Sequence, residues 1–448
     1  MSLSSESAAL RHLSFAERRE RAAPGARARA VEHVGVVGAG TMGSGIAIAF
    51  ALGGFKVALV ESSDRALDAG LARITKSIDA QVSKGRLGAA EATAAKARVQ
   101  RSQTLASVCG CDLIIEAVFE DLALKRELFA QLGRHARPGA VLATNTSTLD
   151  VDAIAEPSGR IADVLGMHFF SPANVMRLIE IVRGRRTCEE ALATALEVAK
   201  RLGKAGVVVG NGFGFVGNRM LYAYGREKEL MLLEGAAPEQ IDRALEAFGM
   251  AMGPNAVGDL AGLDVGARAR KAWKSRPDDP RFFRVSDLLV EQGRLGQKSG
   301  RGFYRYCGGE RRREPDPEVL ELIRREAERL GVERRVICDA EIVERSILAL
   351  LNEGARVLEE GIALAGADID VIWCNGYGFP RSRGGPMFYA DTLGLPEVRA
   401  AIEKYRRAQG ERYWVPARLI ENLAATGGRI SEWGAARQAG SEARAVAS

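Results

Sequence analysis

His33-Val34-Gly35-Val36-Val37-Gly38-Ala39-Gly40-Thr41-Met42-Gly43 decides the fold of this 448-residue chain. Five residues of buried-strand character run into three glycines spaced GxGxxG, and the small, apolar stretch Ser44 to Leu52 follows with helical periodicity. Strand, glycine turn and helix in that order are the context a dinucleotide fingerprint needs. Gly38 permits the tight turn, Gly40 lets the backbone approach a pyrophosphate, and Gly43 lets the helix pack closely on the strand. Thr41 and Met42 complete the turn and count with the glycines as cofactor-binding positions, where the helix N-terminus offers N–H groups and the positive end of its dipole.

The next strand, Lys56-Val57-Ala58-Leu59-Val60, ends in Glu61, about twenty residues past the glycines. A carboxylate there accepts hydrogen bonds from ribose hydroxyls and repels a 2′-phosphate, so the expected cofactor is NAD rather than NADP. The sheet continues through Asp112 to Val118, with Glu116 and Glu120 near its carboxyl end, and Leu122 to His135 reads as the following helix. Ala140 to Ala143 is a further strand leading into Asn145-Thr146-Ser147-Thr148. Open α/β sheets bind ligands outside the carboxyl ends of their strands, which points this polar cluster at the nicotinamide half of a crevice. The same four residues also suit a capped turn.

His168 lies in Gly166-Met167-His168-Phe169-Phe170-Ser171-Pro172, and Glu180 interrupts the apolar run Leu178-Ile179-Glu180-Ile181-Val182. An ionised carboxylate in so apolar a strand needs a positive or hydrogen-bonding partner. A turn at Ser171-Pro172 folds the two segments back so that His168 and Glu180 meet. A histidine held by a carboxylate is the usual construction of a general base near neutral pH. Taken alone the pair serves stability equally well; the dinucleotide segment upstream favours catalysis.

Composition narrows the class. The chain is 47% hydrophobic and 27% charged, with mean hydropathy −0.08, the profile of a globular protein of several domains. No apolar run is long enough to span a bilayer and no secretory signal region is evident, so a cytoplasmic location without membrane attachment is expected. A net charge of +6 is mild for this length; with neither a basic face nor a reading element, nucleic-acid binding is not expected, whereas a phosphate-bearing substrate is compatible with it. The six cysteines at 109, 111, 188, 307, 338 and 374 contain only one close pair and no neighbouring histidine. Free thiols are expected and no metal site.

After the strand Ala205 to Val209 the pattern turns helical and repeats. Val216-Gly217-Asn218-Arg219, Leu233-Glu234-Gly235, Ile241-Asp242, Met252-Gly253-Pro254 and Asp259-Leu260-Ala261-Gly262-Leu263 have counterparts in Val343-Glu344-Arg345, Glu359-Glu360-Gly361, Ile369-Asp370, Gly384-Gly385-Pro386 and Asp391-Thr392-Leu393-Gly394-Leu395. Two copies of one helical unit explain this. Arg311 to Pro317 between them reads as a charged, proline-containing linker. Asn218 is replaced by Glu344 in the second copy, so one copy is expected to face the active site and the other to be architectural.

Together, Val34 to Gly45, Asn145-Thr146-Ser147, His168 to Pro172, Gly214-Phe215-Val216-Gly217-Asn218-Arg219 and Gly296-Gln297-Lys298-Ser299-Gly300-Arg301-Gly302-Phe303-Tyr304 resemble the L-3-hydroxyacyl-CoA dehydrogenases. The likeness runs from about residue 31 to 440 and is nearest to the dehydrogenase half of the peroxisomal-type bifunctional hydratase/dehydrogenases. Phe15-Ala16-Glu17-Arg18-Arg19 looks like the helix that links the two halves there. The enoyl-CoA hydratase half has no counterpart, which leaves room for a separate hydratase partner. The resemblance implies an α/β fold: a linker-like helical extension over 1–30, a Rossmann-type NAD-binding domain over 31–210, a first all-helical domain over 211–310, a linker over 311–336 and a second helical domain over 337–448.

It also implies roles. His168 is the general base, Glu180 its orienting carboxylate, and Ser147 and Asn218 hydrogen-bond the reacting oxygen. Glu61, Glu120, Lys125 and Lys298 match cofactor contacts, with Ser147 and Ser171 beside them, while Ser77 and Lys84 match residues that meet the CoA moiety. Ser171 departs from the asparagine of many simple members, which weakens or re-routes a nicotinamide contact. The implied reaction interconverts L-3-hydroxyacyl-CoA and 3-ketoacyl-CoA with NAD/NADH, a step of fatty-acid β-oxidation. A dehydrogenase for a specialised short or dicarboxylic acyl-CoA, and a non-catalytic scaffold that binds NAD or acyl-CoA, are the rival readings. Simple members pair through their helical domains; a second copy within the chain stands in for the partner, so a monomer with an internal pseudo-dimer is expected.

Overall fold

The computed structural model describes residues 3–306 and 312–434. Cys307, Arg311 at the head of the expected linker and the C-terminal Ala-Val-Ala-Ser lie outside them. The chain opens with helix α1 (Leu3–Arg18). Strands β1 (His33–Val37), β2 (Lys56–Val60), β3 (Val99–Ser102), β4 (Leu113–Glu116), β5 (Val141–Thr144), β6 (Val164–Phe169), β7 (Leu178–Arg183) and β8 (Ala205–Gly210) form one sheet in the order β3-β2-β1-β4-β5-β6-β7-β8. The first six run parallel in the Rossmann order. β7 turns antiparallel to β6, and β8 runs parallel to β7.

The strands are apolar because helices cover both faces of the sheet. Leu113 and Ile115 pack into one buried cluster with Val34, Val36, Ile46 and Phe50. Ile114 between them faces a second cluster with Leu142, Phe129 and Leu132, as the two-residue period of a strand requires. Helices α2 (Thr41–Leu52), α3 (Asp64–Ser83), α4 (Ala89–Ala97), α5 (Leu122–His135), α6 (Val151–Ala155) and α7 (Glu189–Arg201) complete this layer. α5 begins where Asp121 accepts the Leu124 N–H at 2.8 Å, and α6 where Asp150 accepts from Asp152 and Ala153.

The helical portion carries α8 (Gly217–Glu234), α9 (Pro238–Phe248), α10 (Pro254–Ala261), α11 (Leu263–Ala272), α12 (Arg284–Glu291) and α13 (Pro317–Arg329). The second copy follows as α14 (Asp339–Glu359), α15 (Gly366–Gly376), α16 (Pro386–Leu393), α17 (Leu395–Gln409), α18 (Glu411–Trp414) and α19 (Arg418–Thr426). α14 packs on α8, and their shared face is ionic. Arg345 is wholly buried between Glu227, at 3.1 Å, and Glu234, at 2.5 Å, while the neighbouring Lys228 and Glu229 pair at 2.6 Å and are also buried.

The described residues form two compact units: 14–216 with 361–376, and 217–360 with 377–433 and the first helix to residue 13. Three expectations change accordingly. Residues 14–30 of the expected linker-like extension belong to the sheet-bearing unit, where Arg19 and Arg21 both ion-pair the buried Asp368 and Arg29 pairs Asp163 at 2.6 Å. α15 departs from its own copy to join the sheet-bearing unit. The 311–336 segment is no linker: Asp316, held by Arg294 at 2.7 Å, caps α13, whose Val319, Ile323 and Ala327 recur every fourth residue and are buried. The charged surface of that helix hid its apolar stripe in the sequence.

Candidate active site

The glycine turn joins β1 to α2. Gly38 has φ +101, a left-handed conformation in which a Cβ would lie 2.6 Å from the Ala117 carbonyl oxygen at the end of β4. A Cβ on Gly43 would overlap the Gly38 carbonyl. Protein contacts therefore explain both glycines. Gly40 is different: nothing lies within 4 Å of a Cβ built there, and α2 begins at this residue with no side-chain cap. What Gly40 keeps open is the approach of a ligand to uncapped helix N–H groups, which fits a dinucleotide pyrophosphate. Thr41 and Met42 flank that opening. Glu61, at the end of β2, accepts the Ala39 N–H at 3.2 Å, so its carboxylate stands over the turn where an adenosine ribose would be met.

Next to the turn, the ends of β4 and β5 carry a buried polar network. Glu116 Oε1 accepts from Lys125 Nζ at 2.6 Å and the Val118 N–H at 2.8 Å, and its Oε2 accepts from the Thr144 hydroxyl at 2.7 Å. Lys125 is 1% exposed and lies 3.3 Å from Glu120. Lys125, a cofactor contact expected from the sequence, has its ammonium set between these two carboxylates. Glu120 Oε1 in turn accepts from the Thr146 hydroxyl at 2.6 Å, the Ser147 N–H at 2.9 Å, the Ser147 hydroxyl at 3.3 Å and the Thr148 N–H at 3.3 Å. Burial works to raise the Glu120 pKa, yet the Lys125 ammonium, the Thr146 hydroxyl and the Ser147 N–H outweigh it and hold the carboxyl below its ordinary range. The sequence puts Thr144 and Thr146 in the polar cluster but singles out no individual role for them or for Glu116. The signal available was a carboxylate at the end of an otherwise apolar strand.

The His168–Glu180 pair is formed. Antiparallel pairing of β6 and β7 sets the two residues directly opposite, and His168 Nδ1 lies 2.8 Å from Glu180 Oε2. Glu180 is fully buried and His168 is 6% exposed. Glu180 Oε1 also accepts the Val216 N–H at 3.3 Å. With Nδ1–H donated to the carboxylate, the lone pair of the neutral ring is at Nε2. The ring is wedged between Phe170 and Phe215, at centroid distances of 4.5 and 5.6 Å. Phe215 is held at φ +50, a conformation unusual for so bulky a residue. Asn145 Oδ1 accepts the Phe169 N–H at 2.9 Å, tying the polar cluster after β5 to the strand that carries His168.

The remaining candidates are more dispersed. Ser171 is exposed in the turn after β6. Ser77 on α3 lies at 3.5 Å from Asn174 Nδ2, and Lys84 is an exposed residue at the C-terminus of that helix. Asn218 and Lys298 belong to the helical unit. Asn218 stands in the first turn of α8, and Lys298, exposed, ion-pairs Asp264. Among the described residues no group of three His, Cys, Asp or Glu side chains is placed to hold a metal ion.

Comparisons with known proteins agree with this geometry. The family model for the 3-hydroxyacyl-CoA dehydrogenase NAD binding domain matches residues 33–212, and that for the 3-hydroxyacyl-CoA dehydrogenase C-terminal domain matches twice, at 214–306 and 342–437. The peroxisomal bifunctional enzyme of Danio rerio is 44% identical over 420 residues, covering 90% of this chain and 58% of the relative. Its Homo sapiens counterpart is 42% identical over 423 residues, covering 91% and 58%. The chain thus spans under two thirds of these relatives' length. Among solved structures, the dehydrogenase part of multifunctional enzyme 1 from C. elegans superposes with a TM-score of 0.68 at 30% identity, covering 94% of this chain and 97% of that one. The 3-hydroxybutyryl-CoA dehydrogenase of Escherichia coli K12 gives 0.75 at 26% identity, covering 89% and 99%.

Proposed function

Because the chain belongs to the 3-hydroxyacyl-CoA dehydrogenase family, we propose that it interconverts L-3-hydroxyacyl-CoA and 3-ketoacyl-CoA in fatty-acid β-oxidation, with NAD as its cofactor. The observation that carries this reading is the His168–Glu180 pair, 2.8 Å apart, at the end of the sheet that also bears the glycine turn.

NAD, when bound, supplies the hydride acceptor. The chain's own residues manage the proton. In the oxidising direction Nε2 of His168 accepts the proton of the 3-hydroxyl, and the Glu180 carboxylate stabilises the imidazolium that results. In the reducing direction the imidazolium returns that proton to the ketone oxygen. Ser147 and Asn218 are the proposed donors to the same oxygen, a contribution of about 3 kcal/mol for one well-placed donor by analogy with oxyanion holes. Glu120 holds the Ser147 segment in place, and Glu120 and its partner Lys125 stay among the proposed cofactor contacts. Glu61, Ser171 and Lys298 are the further proposed cofactor contacts, and Ser77 and Lys84 the CoA contacts.

The Arg345–Glu227 pair, fully buried between α8 and α14, supports a monomer with an internal pseudo-dimer. A cytoplasmic location belongs to the same proposal, supported by Cys109, Cys111, Cys188, Cys338 and Cys374, none of which forms a disulfide among the described residues. The test is NADH oxidation with 3-ketoacyl-CoAs of graded chain length. Turnover that peaks at one length is the expected result and reports the substrate; binding without turnover at every length would favour a scaffold instead.

A further inference from the structure

Asn218 is met by a residue of the second helical copy. The Tyr377 hydroxyl donates to Asn218 Oδ1 at 2.9 Å, from 159 residues further along the chain. The approach depends on Gly217, because a Cβ there would overlap the edge of the Tyr377 ring. Both residues lie in the helical unit.

An asparagine amide is planar, with a donor and an acceptor that exchange places on a half-turn about its last side-chain bond. Left to itself, it can present either end. An oxygen that gains negative charge during reaction is stabilised only by the donor end; the acceptor end repels it. With Oδ1 engaged by a phenolic O–H, the half-turn would break that hydrogen bond, so Nδ2 is kept facing away from Tyr377. Among the described residues, no protein group accepts from Asn218 Nδ2, which leaves it available to a ligand.

We infer that Tyr377 is a positioning residue that fixes the Asn218 amide with Oδ1 engaged and Nδ2 left to donate, so that the second copy sets the donor that the proposed function assigns to the first. The inference rests on the proposed function, in which Asn218 donates to that oxygen. It revises the view of the second copy as architectural alone.

Tyr377→Phe tests it, since the ring remains against Gly217 and only the donor is lost. With NADH and acetoacetyl-CoA, kcat should fall about tenfold, the effect of one directed hydrogen bond, while KM for NADH and the melting temperature stay at the parental values. In an Asn218→Ala background the same change should cost nothing further, because the two act as one. Gly217→Ala, which displaces the ring, is the second variant and should lower kcat with the same dependence on Asn218. An active parent whose Tyr377→Phe variant keeps full kcat, or loses as much without Asn218 as with it, overturns the inference alone. A parent that turns over no 3-ketoacyl-CoA overturns the proposed function, and the inference with it.

Discussion

Lys125 illustrates how much a single side chain can matter to the polar network beside the glycine turn. Its ammonium is buried between Glu116 and Glu120, and removal of one partner from such a pair leaves the other carboxylate buried and uncompensated. Lys125→Met should therefore destabilise the fold by about 3 kcal/mol or more, read as a lowered denaturation midpoint; an unchanged midpoint would show that the pair is dispensable. Glu120 adds a pH dependence. Its folded pKa lies below the ordinary value of 4.5, so its contribution is fully present above that value and is lost as pH falls through the lower folded one. The protection factors of the Ser147 and Thr148 amides should fall on that acid side and stay flat between pH 5 and 8; no acid-side loss of protection would contradict the role of Glu120 as their anchor. The His168–Glu180 pair was legible in the sequence because an acid inside an apolar strand demands a partner. The Glu116–Lys125 pair was not, because a strand-end acid and a helix lysine meet only through the β4-to-α5 crossover. Tyr377 was invisible for the same reason on a longer scale.

At the level of elements, the glycine turn separates folding from binding. A Cβ on Gly40 meets no protein atom, whereas one on Gly43 overlaps the Gly38 carbonyl. Gly40→Ala should leave the melting temperature within about 2 °C of the parent, since surface changes away from packed groups cost little, yet weaken NADH binding in a titration. Gly43→Ala should lose stability itself. Equal NADH affinity in Gly40→Ala would remove that residue from the cofactor site. This turn, β1, β2 and α5 were readable from periodicity and the glycine spacing. The antiparallel β7 was readable only through the Ser171-Pro172 turn, and α13 was missed beneath its charges. The helical repeat was readable from landmarks, and two of them prove to be one device used twice. Asp259 accepts the Phe303 and Tyr304 N–H groups at 2.9 and 3.0 Å, and Asp391 accepts those of Ile430 and Ser431 at 2.8 and 3.0 Å. In each copy a buried acid ties down the returning chain.

For the whole molecule, the proposed internal pseudo-dimer puts the second helical copy where simple family members would need another chain. Four consecutive charged residues, Arg226 to Glu229, are all buried in α8, where Arg226 pairs Glu227 and Lys228 pairs Glu229 and the second oxygen of Glu227 faces the second copy. Arg345 of the second copy supplies its partner there. The chain should accordingly elute at its own 48.1 kDa in a calibrated sizing run, and elution at twice that mass would count against the internal pseudo-dimer. The central claim, that an imidazole held by an internal acid moves the proton of a 3-hydroxyacyl-CoA, is tested most directly by the steady-state rate of NADH oxidation with a 3-ketoacyl-CoA in the parent and in His168→Gln. The account predicts a loss of about 10²-fold or more with NADH binding retained. A variant that turns over within about threefold of the parent, well inside what loss of a general base allows, would contradict it.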